Sequence, residues 1–255
     1  MRAPRSGILS NYFALGTLAG EVHVWAVGLD VATAYIRRVE PSLSADERLR
    51  AESFRFDRHR TRFVARRAAL RALLADYLDV TAGAVTFVYG PNGKPALAPA
   101  HGDHHLSFNL SHSEHLAVIA VALDRAIGVD VERIKPLDDF EAIASRFFTE
   151  KENLALHSVP PSKRLEAFFN CWTRKEAVVK ASGEGLTRPL DSFEVSLAPD
   201  EPARLLAWAA TDPEPEWSLQ AFTPEAGFVA AVAAPGTDWK VRCREWQSES
   251  GSGLT

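Results

Sequence analysis

Several short segments either alternate between apolar and polar residues or are apolar throughout, and both patterns predict strands. The segments 21–29 and 126–134 alternate, as expected for strands with one buried face. The run LAVIAVAL at 116–123 is bounded by charged residues and indicates a strand buried on both faces. Further strands are predicted at 85–89, 193–197, 217–222 and 228–233.

Helical spacing of apolar residues predicts two long helices. In the first, the stripe repeats at intervals of seven, seven, four and three residues: Phe56, Phe63, Leu70, Leu74 and Tyr77. The second runs from about 163 to 181, and its stripe follows the pattern i, i+3, i+4, i+7: Leu165, Phe168, Phe169 and Trp172. A shorter helix is predicted over 138–148, and the polar cluster 42–46 predicts another helix start.

Parts of this pattern recur after about 110 residues. The run near 115 returns near 227, the helix carrying Arg62 returns as the helix carrying Glu176, and strand 85–89 returns as 193–197. Chance similarity of generic patterns is the alternative, because sequence identity between the copies is negligible. We predict an α+β fold of two pseudo-duplicated halves, 21–125 and 126–246, each a helix on a small, mainly antiparallel sheet, with the active site in the cleft between them. A flexible lead-in (1–20) and a disordered tail (247–255) flank them.

Composition and charge restrict the class of protein. The 255 residues are 46% hydrophobic and 24% charged, as in soluble globular proteins. The net charge of −4 argues against a general nucleic-acid binder, and no apolar run reaches the roughly 20 residues that span a membrane. The two cysteines, Cys171 and Cys243, provide no disulfide framework, which favours a cytoplasmic location.

Nine arginines lie between Arg48 and Arg71. Four of them follow a stripe beside the apolar one: Arg55, Arg58, Arg62 and Arg66. A solvated helix face is the ordinary interpretation of such a run, and a local binding patch for phosphates is the alternative.

Three carboxylates stand out against this background. Asp130 and Glu132 leave the same face of a strand, roughly 6.6 Å apart at the backbone. Glu176 occupies a position where the apolar stripe of its helix predicts a buried residue, and Lys180 follows one turn later. An exposed edge strand and an ordinary surface Glu–Lys pair are the alternatives for these two observations.

An all-oxygen set of ligands suits a hard divalent cation, and magnesium characteristically bridges carboxylates to substrate phosphates. Donors for phosphates are available in the arginine-rich helix, in Lys94 after a turn, and in the Ser111–His112–Ser113 segment. These residues together predict magnesium-assisted transfer of a phosphate-linked group.

Two motifs then carry a family resemblance. GVDVER at 128–133 and WTRKEAVVK at 172–180 resemble the signature of 4′-phosphopantetheinyl transferases. Further segments are similar to the larger, surfactin-synthetase-activating (Sfp) type: NGKP at 92–95, FNLSHS at 108–113, RFFTEKE at 146–152 and GEGLTRPLDSF at 183–193. The resemblance covers roughly residues 21 to 234.

The resemblance implies transfer of the phosphopantetheine arm of coenzyme A to a serine of an apo acyl, peptidyl or aryl carrier protein, with release of 3′,5′-ADP. It implies magnesium (or manganese) ligands at Asp130, Glu132 and Glu176. It makes Glu176 the general base and Lys180 the partner of the leaving phosphate. The implied coenzyme A contacts are Ser111, His112, Lys94, Pro95, Arg62, Lys180 and, by extension, Arg58 and Arg66.

The sequence leaves alternatives for the function and for the partner, and it supports expectations for the docking surface and the oligomeric state. A magnesium-dependent nucleotide phosphohydrolase and an inactive coenzyme A-binding module are the alternative functions. Fatty-acid, polyketide, non-ribosomal peptide and siderophore carriers, including those of secondary metabolism, are all candidate partners. Phe147, Phe148 and residues 150–165 are the expected carrier-docking surface, and two fused halves sharing one cleft imply an active monomer.

Overall fold

The computed structural model describes residues 18–102, 105–208 and 217–247. The first half begins with a strand and continues through three helices and two hairpins. Its elements are β1 (Glu21–Gly28), α1 (Thr33–Val39), α2 (Ala45–Glu52), α3 (Asp57–Leu78), β2 (Phe87–Tyr89), β3 (Pro95–Leu97), β4 (Leu106–Ser113) and β5 (Leu116–Leu123).

The second half repeats this order, and its last strand returns to the first half. Its elements are β6 (Gly128–Arg133), α4 (Phe140–Phe147), α5 (Glu150–Ser158), α6 (Arg164–Ser182), β7 (Phe193–Val195), β8 (Leu205–Trp208), β9 (Trp217–Phe222), β10 (Phe228–Pro235) and β11 (Lys240–Trp246).

The sheets show the duplication directly. In the first half the strand order is β11-β1-β5-β4, and in the second it is β6-β10-β9. Strands β1, β5 and β4 therefore correspond to β6, β10 and β9, helix α3 corresponds to α6, and the hairpin β2-β3 corresponds to β7-β8. All these pairings are antiparallel except β1 with β11, which is parallel and was not predicted. The predicted α+β fold is confirmed.

Three apolar layers hold these elements together. One lies between α3 and the first sheet, a second between α6 and the second sheet, and a third, which includes Val24, Val129 and Val232, draws residues from both sheets. On α3 the predicted stripe is buried from Phe63 onward. The prediction that Phe56 belongs to the buried stripe is wrong, because Phe56 is the extended residue before the helix and is 59% exposed.

Most predicted bounds hold to within two residues, and two strands are shorter for a physical reason. Strand 85–89 begins only at Phe87, because the Val85 carbonyl accepts from Arg71 and the Thr86 N–H donates to His101. Strand 193–197 ends at Val195, where the ladder with β8 slips out of register. In the first strand, side chains bond to backbone groups that the sequence pattern predicted to pair with a neighbouring strand. In the second, a bulge interrupts the strand pairing.

Part of the arginine run is structural. Glu47 caps the start of α2 by accepting from the Ser44 N–H, and its carboxylate is buried against Arg67 and Arg71. A buried carboxylate needs such cationic partners, because ionised groups lose their hydration inside a protein. Neither a solvated face nor a phosphate patch accounts for these two arginines.

Several predictions concern the chain ends, the membrane and the cysteines. Residues 1–17 and 248–255 lie outside the described residues, although Leu18 is already buried in the core. Within the described ranges, no helix combines the length and apolarity needed to cross a bilayer. Cys171, which is buried, and Cys243, which is exposed, are both free.

Gly128 sets the distance between β6 and α6. A Cβ on Gly128 would lie 2.1 Å from the Ala177 carbonyl oxygen and 2.3 Å from the Ala181 nitrogen. We expect Gly128→Ala to lower the free energy of unfolding by about 3 kcal/mol or more, since backbone and not a mobile side chain must move. Urea denaturation measures this. Gly28→Ala is the matched control, because nothing lies within 4 Å of its Cβ; equal stability of the two variants would contradict the tight approach.

Candidate active site

The site begins where β4 of the first half meets the free edge of β6. Alternate residues of β4 point their polar side chains at β6. Asn109 Oδ1 accepts from the Val129 N–H at 2.9 Å, and Ser111 Oγ donates to Asp130 Oδ1 at 2.7 Å. Because side chains two residues apart leave the same face of a strand, one short motif holds successive residues of β6.

Together with Ser113, these side chains of β4 form a row of polar contacts to β6 that we call the seam. Ser113 extends it to the second acid, Glu132. Its hydroxyl donates to Glu132 Oε2 at 2.7 Å and accepts from the Arg133 N–H at 3.2 Å. The structure thus explains the order of polar residues in FNLSHS. Sequence reasoning grouped Ser113 with the phosphate donors and missed both this contact and the role of Asn109.

Helix α6 brings the catalytic candidates to the same place. Lys180 Nζ lies 2.6 Å from Asp130 Oδ1 and 3.2 Å from Ser111 Oγ. Asp130 is 4% exposed, and its other oxygen, Oδ2, is buried without a hydrogen-bond partner. Glu176 lies one turn before Lys180 and is half-buried. The predicted acids and lysine therefore lie on two neighbouring elements of the second half, β6 and α6, and Ser111 joins them from β4 of the first half.

Burial and electrostatic repulsion shift the pKa values of the acids. Burial raises the pKa of Glu176 above that of an ordinary glutamate, and the charge of Asp130 raises it further. Burial also raises the pKa of Glu132, although the hydrogen bond from Ser113 opposes this shift. For these two glutamates, burial thus outweighs the positive charge that Lys180 and, at Glu132, Lys135 provide.

The residues fit a hard divalent cation by their chemistry. Every candidate donor is a carboxylate or hydroxyl oxygen, and Asp130 Oδ2 is a buried oxygen that lacks a partner. Lys180 supplies a positive charge at Asp130 Oδ1 in the arrangement seen here. Within the described ranges, no three His, Cys, Asp or Glu side chains are already close enough to enclose a metal, so the acids would have to draw together around one.

Next to the acids, the arginines of α3 lie beside His112. Arg66 Nη1 contacts His112 Nε2. Desolvation, followed by the positive charges of Arg66 and Lys180, lowers the pKa of His112 to about 4, so its ring is neutral at pH 7. Arg58 is exposed on the same helix.

Two other predicted coenzyme A residues are engaged elsewhere. Arg62 makes a two-point contact with Asp30, at 2.7 and 2.9 Å. The Lys94 ammonium contacts backbone carbonyls of the second half, among them Ile127 at 3.0 Å. Pro95 is half-buried at the first position of β3.

The expected carrier-docking surface needs one correction. Phe148 is 4% exposed, because its ring stacks on Phe168 in the core under α6. It therefore offers nothing to a partner. Phe147 is half-buried against Trp172, and Leu154 on α5 is 64% exposed.

We predict that Ser113→Ala raises the pKa of Glu132 further. The ionised carboxylate loses a hydrogen bond that is worth about 1.5–3 kcal/mol to a charged acceptor. Carboxyl-carbon NMR titration measures the pKa. Ser107→Ala on the same strand, some six residues from Ser113, is the control and should leave the titration of Glu132 unchanged; a Ser113→Ala titration identical to wild type would contradict the seam.

Comparison with known proteins places the chain. The 4′-phosphopantetheinyl transferase superfamily matches residues 126–233, and the N-terminal region of 4′-phosphopantetheinyl transferases matches 33–124. The 4′-phosphopantetheinyl transferase HetI of Nostoc sp. is 42% identical over 226 residues, covering 89% of this chain and 92% of HetI.

More distant proteins also match. The 4′-phosphopantetheinyl transferase psf-1 of Bacillus pumilus is 33% identical and covers 79% of this chain and 82% of psf-1. A crystal structure of a holo-(acyl-carrier-protein) synthase from Bacillus anthracis covers 43% of this chain at 20% identity, with a TM-score of 0.37 that is too low to carry an argument. The chain belongs to the 4′-phosphopantetheinyl transferase superfamily, and to its larger Sfp type as the sequence predicted.

Proposed function

We propose that this protein transfers the 4′-phosphopantetheine arm of coenzyme A to a serine hydroxyl of an apo carrier protein and releases 3′,5′-ADP. The observation that carries the proposal is the contact of Lys180 with Asp130 beside Ser111, because it joins both family motifs in one cleft. The names of the relatives, which are 4′-phosphopantetheinyl transferases, support the reaction class.

A magnesium ion, with manganese as an alternative, would be held by Asp130, Glu132 and Glu176. When bound, it would neutralise the carboxylates and withdraw charge from the pyrophosphate of coenzyme A. The partnerless Oδ2 of Asp130 and the raised pKa values of Glu132 and Glu176 support this assignment. Both observations describe a site that lacks positive charge.

In the proposed reaction the serine oxygen of the carrier forms a bond to the β-phosphorus of coenzyme A. The bond from that phosphorus to the bridging pyrophosphate oxygen breaks, and 3′,5′-ADP leaves with the electron pair. Glu176, directly or through a water, accepts the proton of the serine, since a hydroxyl is a weak nucleophile without a base. The Lys180 ammonium stabilises the charge that develops on the leaving phosphate.

The first half supplies the nucleotide contacts in this proposal. The neutral His112 donates a hydrogen bond to a phosphate oxygen, and Ser111 does so only by exchanging its hydrogen bond to Asp130. Arg66 and Arg58 add positive charge near the 3′-phosphate. Arg62 joins them only by exchanging its contact with Asp30, and Lys94 only by leaving its carbonyl partners. Pro95 would line the nucleotide side of the cleft.

The biological setting is also part of the proposal. The carrier is of the acyl, peptidyl or aryl type, as in fatty-acid, polyketide, non-ribosomal peptide or siderophore synthesis. Halves 21–125 and 126–246 act as a nucleotide-binding half and a metal-binding half within one chain. A single chain then suffices for activity, and the free cysteines support a cytoplasmic location.

One experiment tests the function. The protein is incubated with coenzyme A, magnesium and a panel of apo carrier proteins, and the mass of each intact carrier is measured by mass spectrometry. We expect addition of one phosphopantetheine arm to at least one carrier. Hydrolysis of the nucleotide without addition would identify a phosphohydrolase, and coenzyme A binding with neither reaction would identify an inactive binding module.

We predict that Glu176→Gln lowers kcat about 10²- to 10⁴-fold, the usual contribution of a general base, and changes the Kd for coenzyme A far less. Single-turnover kinetics and calorimetry measure the two quantities. Equal loss of binding and turnover would remove the special role of Glu176.

The same substitution carries a second expectation for the metal-free protein. A raised pKa in the folded state means that the ionised carboxylate costs folding free energy above its usual pKa. At pH 7 and without divalent cations, Glu176→Gln is therefore expected to have a higher Tm than wild type, which differential scanning calorimetry measures.

We predict that Asp130→Ala abolishes the magnesium-dependent part of coenzyme A binding. The change removes the most buried acid of the cleft and leaves Lys180 without its closest carboxylate. Calorimetric titration of coenzyme A with and without magnesium measures the effect. Asp124→Ala is the control, because its carboxylate is 67% exposed; an unchanged magnesium requirement in Asp130→Ala would refute the assignment.

A further inference from the structure

The turn between β2 and β3 of the first half lies on the C-terminal end of α6 in the second half. Asn92 Nδ2 donates to the carbonyls of Gly183 at 3.0 Å and Glu184 at 2.9 Å. Lys94 Nζ donates to the carbonyl of Ala181 at 3.4 Å and also contacts that of Lys180. A third carbonyl, that of Ile127 just before β6, accepts at 3.0 Å.

A helix C-terminus is where such donors have most effect. The last carbonyls of a helix lack intrahelical partners and carry a partial negative charge. Helix α6 ends at Ser182 and is capped by Gly183, which has a φ of 76° and turns the chain away from the helix in the left-handed conformation. The Lys94 ammonium thus binds two carbonyls of the last turn of α6, those of Lys180 and Ala181. The Asn92 amide binds the next carbonyls along the chain, and that of Glu184 also accepts from Thr187.

The Lys94 ammonium has three protons, and three carbonyls surround it. A side chain held in this way has no donor left for a phosphate. The approach of the turn is also close, because a Cβ on Gly185 would lie 3.1 Å from the Cβ of Asn92. The contact is therefore packed as well as hydrogen-bonded.

We propose that residues 90–95 form a strap that fixes the end of α6 against the first half, and that Lys94 is a positioning residue and not a coenzyme A ligand. Glu176 and Lys180 lie on the last two turns of the strapped helix. The consequence for turnover rests on the proposed function of these two residues, whereas the strap itself does not.

The test compares Lys94→Met and Asn92→Ala with wild type. Lys163→Met is the matched control, since its ammonium pairs with the exposed Asp200 and not with the end of α6. Hydrogen exchange of the ligand-free protein, read by mass spectrometry, reports opening of residues 178–184. We expect about tenfold faster exchange there in Lys94→Met, because hydrogen bonds from a charged donor are lost, a smaller acceleration in Asn92→Ala, and none in Lys163→Met.

Coenzyme A binding separates the two roles of Lys94. The strap predicts a Kd for coenzyme A within about threefold of wild type in Lys94→Met, with kcat for carrier modification reduced. Wild-type exchange at residues 178–184 in both variants overturns the strap, and a rise in the Kd above about tenfold overturns the exclusion of Lys94 as a ligand.

The exchange experiment remains conclusive if one variant does not fold or if the protein does not catalyse the proposed reaction. Asn92 is exposed, so Asn92→Ala removes two hydrogen bonds without opening the core and carries the test alone if Lys94→Met does not fold. Exchange in the ligand-free protein needs no activity. Failure of the transferase function would therefore appear in the wild-type carrier assay and not in this measurement.

Discussion

The seam between β4 and β6 is the contact on which both the fold and the site depend. Strand β6 is an edge strand, and its buried N–H groups would be costly without partners. Asn109 and Ser113 of the first half accept from the Val129 and Arg133 N–H groups. The same row of side chains, through Ser111 and Ser113, holds Asp130 and Glu132. Closing the edge and positioning the acids are therefore one and the same set of contacts.

Only one of the two similar halves carries acids at its central helix–strand contact. On β6 the helix-facing residues are Gly128, Asp130 and Glu132, whereas on β1 His23 and Trp25 bond to Tyr77 of α3, at 2.6 and 3.3 Å. At the helix–strand contact of the first half, a buried aromatic network thus stands where the second half has its acids. The first half contributes instead the polar strand β4, which contacts the acids of the second half, and helix α3, whose Arg66 contacts His112 of that strand. This asymmetry explains how a duplicated fold forms a single cleft.

Alternation and helical spacing located most elements, and the misplaced charge at Glu176 identified the helix face of the site. Periodicity reports which face a residue occupies but not which residue it meets. The sequence therefore did not reveal the pairing of Arg67 and Arg71 with Glu47, the contact of Lys94 with α6, or the burial of Phe148. Each depends on contacts between segments distant in the chain. Ser113 had a local signal, because it continues the alternation of Asn109 and Ser111, but its partner lay in the other half.

In the function proposed here, the acids of the second half and the polar strand of the first form one divalent-cation site on coenzyme A. The most direct measurement is the anomalous scattering of manganese in crystals of the protein grown with coenzyme A. We expect one strong peak bounded by Asp130, Glu132 and Glu176 and in contact with the pyrophosphate. A manganese peak away from these three carboxylates, or ordered coenzyme A with no metal beside them, would contradict it.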